Sequence, residues 1–206
     1  MQKFEWKKEL KEIYFPKVGV VSEVKVPKIN YLMIDGTGDP NNSTTLADAF
    51  SALYPIAYTI KFDLKSTARQ DFTVFPPEGL WFADDMSVFM ENNNNKSSWK
   101  WTIMIAQPDY VTKADFVSAQ DVAFAKKNLP KIKEVRFEAL EEGDSVQILH
   151  IGPYSAEGPN ILKLHDYIKE HGWKLAGKHH EIYMSDPRRV GKDKMKTVIR
   201  QPFKKL

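Results

Sequence analysis

His179-His180-Glu181-Ile182-Tyr183 is a strand pattern that sets a carboxylate beside an aromatic ring. Residues two apart in a strand share a face, so Glu181 and Tyr183 project together with His179, while His180 and Ile182 point the other way. An unpaired carboxylate among rings is costly to bury. The pattern therefore predicts a face that lines a cavity entered by something cationic or polar. Glu78-Gly79-Leu80-Trp81-Phe82, about a hundred residues earlier, is again acidic and then aromatic. A pocket between these two segments is the expectation.

Working outward, each half reads as the same series of elements. In the first, Val18 to Val26 alternates as a strand ended by Pro27, and Asn30 to Gly36 is a second, apolar strand. A loop from Gly36 to Asn42 follows, and Ser43 or Thr44 caps a helix carried by Leu46, Phe50, Leu53 and Ala57, with Pro55 predicting a kink or a displaced start. The strand Glu78 to Phe82, a polar loop tip at Asn92 to Asn95, and the strand Trp99 to Ala106 come next. One face of that last strand is Trp99, Trp101, Ile103 and Ile105. Thr112 to Lys127 is an amphipathic helix, with Thr112 and Asp115 spaced close to a capping box. The second half offers strands at Val135 to Leu140 and Ser145 to Ile151, a Gly152-Pro153-Tyr154 turn, and a helix from Gly158 to His171 stopped by Gly172. Strands at His180 to Met184 and Lys196 to Arg200 complete it. Gln107-Pro108 matches Gln201-Pro202, and Leu80-Trp81 matches Ile182-Tyr183.

This duplication predicts an α+β fold of two tandem pseudo-symmetric modules, antiparallel sheets with helices on one face, and a ligand pocket between the repeats. The expected boundaries are a lead-in over 1–16, a first repeat over 17–112, a linking helix over 113–130 and a second repeat over 131–206.

Composition narrows the function. The 206 residues are 42% hydrophobic, enough for one or two associated domains with a core, and a net charge of +3 gives no concentrated basic stripe of a nucleic-acid binder. The Lys-rich Lys192 to Lys205 region reads as a solvated edge strand and tail. With no cysteine, disulfides, thiolate-bound zinc and thiol catalysis are excluded. No apolar run is long enough for a bilayer and the charged N-terminus lacks a signal region, so a cytoplasmic protein without membrane partner is expected. His179 and His180 point to opposite strand faces and no HExxH spacing occurs, so neither metal nor other cofactor is expected. Gly36-Thr37-Gly38 lacks phosphate-cradle spacing and reads as a turn.

Several ordered motifs carry a family resemblance. Pro77-Glu78-Gly79-Leu80-Trp81, Trp99-Lys100-Trp101 and Gln107-Pro108 resemble the first half of GyrI-like small-molecule-binding proteins. His150-Ile151-Gly152-Pro153-Tyr154, His179 to Tyr183, Asp186-Pro187 and Thr197 to Arg200 resemble the second, over about 16–203. The resemblance implies a stand-alone member, with no room for a helix-turn-helix before residue 16. It implies hydrophobic aromatic or cationic small molecules as partners, held in an aromatic cage with an acidic residue. On that basis Glu181 is the acid, open to a catalytic role with Tyr183. Trp81, Trp101 and Tyr183 are cage residues, Trp99 is a further candidate, and Glu78 is a second acid. The bland alternatives are a Glu181 paired to Arg189 or Arg200, a Glu78 that caps a loop, and indoles that form core. Some stand-alone relatives open the cyclopropane of DNA-alkylating pyrroloindoles, so a hydrolase is the alternative to a xenobiotic binder. A peptide or protein interaction module is a third class. A monomer or weak homodimer is expected.

Overall fold

The computed structural model describes residues 3–40, 44–83, 96 and 98–205. The expected Asn92–Asn95 tip and a cap at Ser43 lie outside these. In chain order the elements are β1 (Lys3–Phe4), α1 (Trp6–Glu9), α2 (Lys11–Tyr14), β2 (Ser22–Thr37), α3 (Thr44–Ser66), β3 (Asp71–Phe72), β4 (Pro77–Phe82), β5 (Lys100–Gln107), α4 (Lys113–Lys127), β6 (Arg136–Ile151), α5 (Gly158–Glu170), β7 (Lys174–Leu175), β8 (His179–Tyr183) and β9 (Lys196–Lys204). This is a mixed fold of helices and largely antiparallel sheet. It divides into two compact units, Met1–Trp6 with Ile29–Leu140, and Lys7–Lys28 with Glu141–Leu206.

These divisions differ from the expected boundaries. The segment after Trp6 belongs with the second unit, and α4 lies inside the first instead of linking two repeats. The reason is that β2 and β6 are each single strands of 16 residues running through a division. Pro27 is exposed and does not stop β2, since a strand tolerates proline where the ladder needs no N–H. Gly143 bends β6 at φ +68° without ending it. Likewise α3 begins at Thr44 and continues through Pro55.

In the first unit β5 lies between β2, paired over Asn30 to Thr37, and β4, paired over Pro77 to Phe82. Directly opposed residues share a face. Gly36, Trp101 and Trp81 therefore form one cross-strand row, and Asp35, Thr102 and Leu80 the next row on the opposite face. Thr102 donates to Asp35 at 2.6 Å, and Arg136 closes on the same carboxylate at 2.6 Å. The tryptophan face is the one α3 covers, because Trp101 and Gly36 share a cavity of about 140 Å³ with Thr45 and Ala49 of that helix. A Cβ at residue 36 would run into the Trp101 ring, which explains glycine there. The capping box of α4 is formed: Asp115 N–H donates to Thr112 Oγ1 at 3.2 Å and Thr112 N–H to Asp115 Oδ2 at 2.9 Å.

In the second unit β9 is the shared antiparallel partner of β6, β7 and β8. One sheet face presents Val146, Ile148 and Ile199, on which Leu164 and Ile168 of α5 pack with Phe203. Each such side chain contributes about 1.5–3 kcal/mol by leaving water. The opposite face is polar and sealed. His180 Nδ1 meets Glu142 Oε1 at 2.9 Å, and Arg200 donates to Glu142 at 2.8 Å and to Gln147 at 3.2 Å. Arg200 also donates to the Ile13 carbonyl at 2.6 Å, and Gln147 to that of Glu12 at 2.7 Å. The polar lead-in is thus a fixed part of this unit.

Burial would raise the Glu142 carboxyl, but His180 and Arg200 outweigh it and bring the pKa down to about 2. A carboxyl lowered in the native state stabilises it above its ordinary value of 4.5, an effect lost as pH falls toward about 2. Arg200→Ala strands that charge and is expected to cost about 3–5 kcal/mol in urea unfolding at pH 7. Gly36→Ala is expected to cost about 1–3 kcal/mol in the same assay, through overpacking against Trp101.

Candidate functional site

Strand alternation in β8 separates its five residues as their spacing predicts. His180 and Ile182 are fully buried, opposite Arg200 and Val198, while Glu181 and Tyr183 lie opposite Ile199 and Thr197 on the face that α5 covers. Tyr183 donates from its hydroxyl to Glu181 Oε2 at 3.0 Å, and His179 Nε2 lies 3.3 Å from Glu181 Oε1. Among the described residues neither Lys nor Arg pairs with Glu181. Arg200 is bound to Glu142 behind the sheet, and Arg189 bonds through its backbone N–H to the Asp186 carbonyl.

A second carboxylate meets this one. Glu157 ends the 3-10 turn Tyr154–Ala156 and stands directly before α5, whose first turn it opens by accepting from Asn160 and Ile161 N–H groups. The turn is held by His150 of β6. Asn160 donates to His150 Nδ1 at 3.0 Å, and Nε2–H donates to the Pro153 carbonyl at 3.2 Å. Those two bonds together require the Nε2–H tautomer. Glu157 is 3% exposed and its Oε1 has no hydrogen-bond partner. Burial and then the negative charge of Glu181 push its carboxyl far above the carboxylate range, against a smaller opposing pull from Thr197. The N-terminal end of a helix favours an anion by about 0.3–1 kcal/mol, too little to reverse two larger effects. Both effects favour the neutral form of Glu157.

Tyr154 closes the cluster. Its ring meets that of Tyr183 edge-on, with centroids 5.6 Å apart and planes at 75°. Burial, then Glu157, Glu181 and Asp186, push the Tyr154 hydroxyl up to about 12, so it stays a donor. His165 of α5 is pushed down by burial and by His179, and its Nδ1 is buried without a partner. Among the described residues no group of three or more His, Asp and Glu is placed to hold a metal ion.

The structure brings Glu181, Tyr183 and His179 together as the strand pattern requires, on the helix-covered side of the sheet. The other sequence candidates lie in the first unit. Trp81 and Trp101 are buried at 5% and 1% on the α3 face, and the Trp81 ring meets that of the half-buried Trp99 edge-on at 6.0 Å. Trp101, expected as a cage residue, has its ring buried beside α3, and every residue from Trp101 to Gln107 is buried. Glu78 is buried on the face turned away from those indoles. Sequence reasoning missed Glu157 and read Tyr154 only as part of a turn. The available signal was a glutamate, a poor N-cap, standing where Gly158-Pro159 starts a helix.

The GyrI-like small molecule binding domain family matches residues 20–204. The chain belongs to this family. An uncharacterized conserved protein from Listeria innocua is 36% identical, with 97% of this GyrI-like chain and 99% of that one aligned at a TM-score of 0.88. A hydrolase from Listeria innocua is also 36% identical, covering 98% of this chain and 100% of its own at a TM-score of 0.86. The C-terminal domain of EcmrR shares the fold at 12% identity and a TM-score of 0.56, over 91% and 98% of the two chains. Among curated proteins, none matches. No helix among the described residues is long and apolar enough to cross a membrane.

A carboxyl raised in the native state has the opposite pH signature to Glu142. The native protein keeps a proton that the unfolded chain gives up near its ordinary value of 4.5, so its contribution to stability is lost as pH rises through neutrality. The loss is at most about 1.4 kcal/mol per pH unit. Glu157→Gln is expected to flatten the alkaline side of the stability profile, measured by urea unfolding of both proteins between pH 5 and 9, and to leave the acid side unchanged.

Proposed function

We propose that the chain binds bulky aromatic cations, with Glu181 as the charged contact and Tyr154 and Tyr183 as the rings of the cage. One observation carries this reading: two carboxyls stand together beside Tyr183 and Tyr154 with no Lys or Arg partner among the described residues. A buried acidic pair without a basic partner attracts positive charge, since each unbalanced carboxylate is costly out of water. Each ring adds about 0.5–2 kcal/mol toward a desolvated cation. The three tryptophans Trp81, Trp99 and Trp101 and the acid Glu78 then serve the packing of the first unit. The shared order β2-α3-β4-β5 and β6-α5-β8-β9 supports reading the two units as copies of one module.

A hydrolase is the second reading, favoured by the Listeria relative described as one. Here Glu181 takes a proton from water as the water oxygen bonds to a strained ring carbon. The carbon–carbon bond breaks, its electron pair moves into the conjugated carbonyl, and that oxygen takes a proton from a neighbouring acid. The net change is addition of one water.

Ethidium, a planar aromatic cation with environment-sensitive fluorescence, tests the first reading. Wild type is expected to bind it, and Glu181→Gln to weaken binding by about tenfold or more, equivalent to about 1.4 kcal/mol. Equal affinity in the two proteins would show that Glu181 is not the charged contact. Incubation with a cyclopropyl-indole alkylator tests the second: a product heavier by one water, lost in Glu181→Gln, supports hydrolysis, and unchanged alkylator leaves a binder.

A further inference from the structure

The two acids of the site are not equivalent, and their difference follows from what touches each oxygen. Glu181 has a donor at both: the Tyr183 hydroxyl at Oε2, 3.0 Å, and His179 Nε2 at Oε1, 3.3 Å. Both oxygens of Glu181 thus already have hydrogen-bond partners. Glu157 has no donor at Oε1 and is 3% exposed, so a charge there would be poorly solvated, with the Thr197 hydroxyl as its support. Beside it the Thr197 hydroxyl is fully buried and offsets only part of that cost. An unbonded carboxyl oxygen such as Glu157 Oε1 is of a kind that buried sites seldom retain. Tyr154, 42% exposed, stands beside the pair and reaches solvent.

We propose that Glu157 and Glu181 form a one-proton exchanger: the pair holds a single proton, on Glu157, until an aromatic cation settles beside it, and then releases that proton to solvent. The cation's charge replaces the proton's, so cation uptake and proton loss are one event. This rests on the cation-binding reading above and adds its regulation. Like charges that cannot both ionise alone can both ionise around a third charge of opposite sign. The other titratable groups facing the pair are His179 and Tyr183 on β8, Tyr154 on the turn, Asp186 after β8, and His165 on α5 behind His179. The two histidines are the competing sources of a released proton. The exchange makes affinity for a fixed cation rise with pH, by up to about tenfold per unit while Glu157 remains protonated.

Two measurements on the full chain test this. Carboxyl carbon-13 NMR of the ligand-free protein, with Glu157 assigned by loss of its signal in Glu157→Gln or Glu157→Asp, is expected to show it protonated at pH 7. Glu181→Gln should bring its midpoint down. Calorimetry with ethidium, in buffers differing in ionisation heat, is expected to show release approaching one proton per cation at pH 7. That release should vanish in Glu157→Gln and persist in His179→Gln. An ionised Glu157 at pH 7, or release unchanged in Glu157→Gln, overturns the exchanger while leaving cation binding standing. Failure of wild type to bind ethidium with Glu157 still protonated brings down the cation reading and the exchanger with it.

Discussion

Arg200 is 1% exposed and bound to Glu142, to Gln147 and to the Ile13 carbonyl, and the character of the second unit depends on that placement. Pairing of β8 with β9 sets His180 opposite Arg200 and Glu181 opposite Ile199. Since faces alternate along both strands, the one buried guanidinium near Glu181 in sequence register is on the wrong side of the sheet to reach it. It neutralises Glu142 and fixes the lead-in instead. The consequence for the other face is an acid with a tyrosine, a histidine and Glu157 for neighbours and, among the described residues, no Lys or Arg partner. A one-residue slip of β8 would exchange the faces, placing Glu181 beside Arg200 and turning the site into an ordinary buried ion pair.

That arrangement also separates the two acids by role. Glu142 and Glu157 are both buried glutamates of the same unit, yet one is driven far down and the other far up. Desolvation acts on both in the same direction. The deciding difference is the sign of the nearest charge: His180 and Arg200 for Glu142, Glu181 for Glu157. One acid is therefore structural, stabilising the sheet at neutral pH, and the other is pushed toward its neutral form by burial and Glu181.

Strand periodicity made part of this legible in the sequence. The common face of His179, Glu181 and Tyr183 follows from a period of two and needs no tertiary knowledge. Which side of the sheet that face looks toward does not follow, because helix placement depends on chain reversal and packing far from β8. The same gap misplaced Trp101, whose alternation was read correctly but whose ring is covered by α3. Pro27 read as the end of a strand and 141–144 as a gap between two, whereas an exposed proline and a positive-φ glycine, Gly143, are tolerated within long strands. Glu157 was hidden for another reason: it lies outside any periodic segment and reaches the site only because His150 holds the turn around Pro153 and Asn160. Contacts of that kind leave no pattern along the chain.

Binding and hydrolysis draw on the same geometry, and the hydrogen bonds of Glu181 do not divide them. A carboxylate offers about four lone-pair sites over its two oxygens. Tyr183 and His179 occupy one at each oxygen and Glu157 meets the same carboxylate, which still leaves it room to accept from a further donor. A water could accordingly be oriented by Glu181 without displacing either neighbour, and a cation could approach the same lone pairs. A Glu157 that keeps its proton adds what a simple receptor does not require, an acid beside that carboxylate. In a ring-opening reaction the acid would give its proton to the departing electron pair, and the carboxylate would hold the one taken from water. Transfer from Glu181 back to Glu157 would then restore the starting state without outside help. A pair in contact can perform that return step directly, whereas isolated acids exchange through solvent.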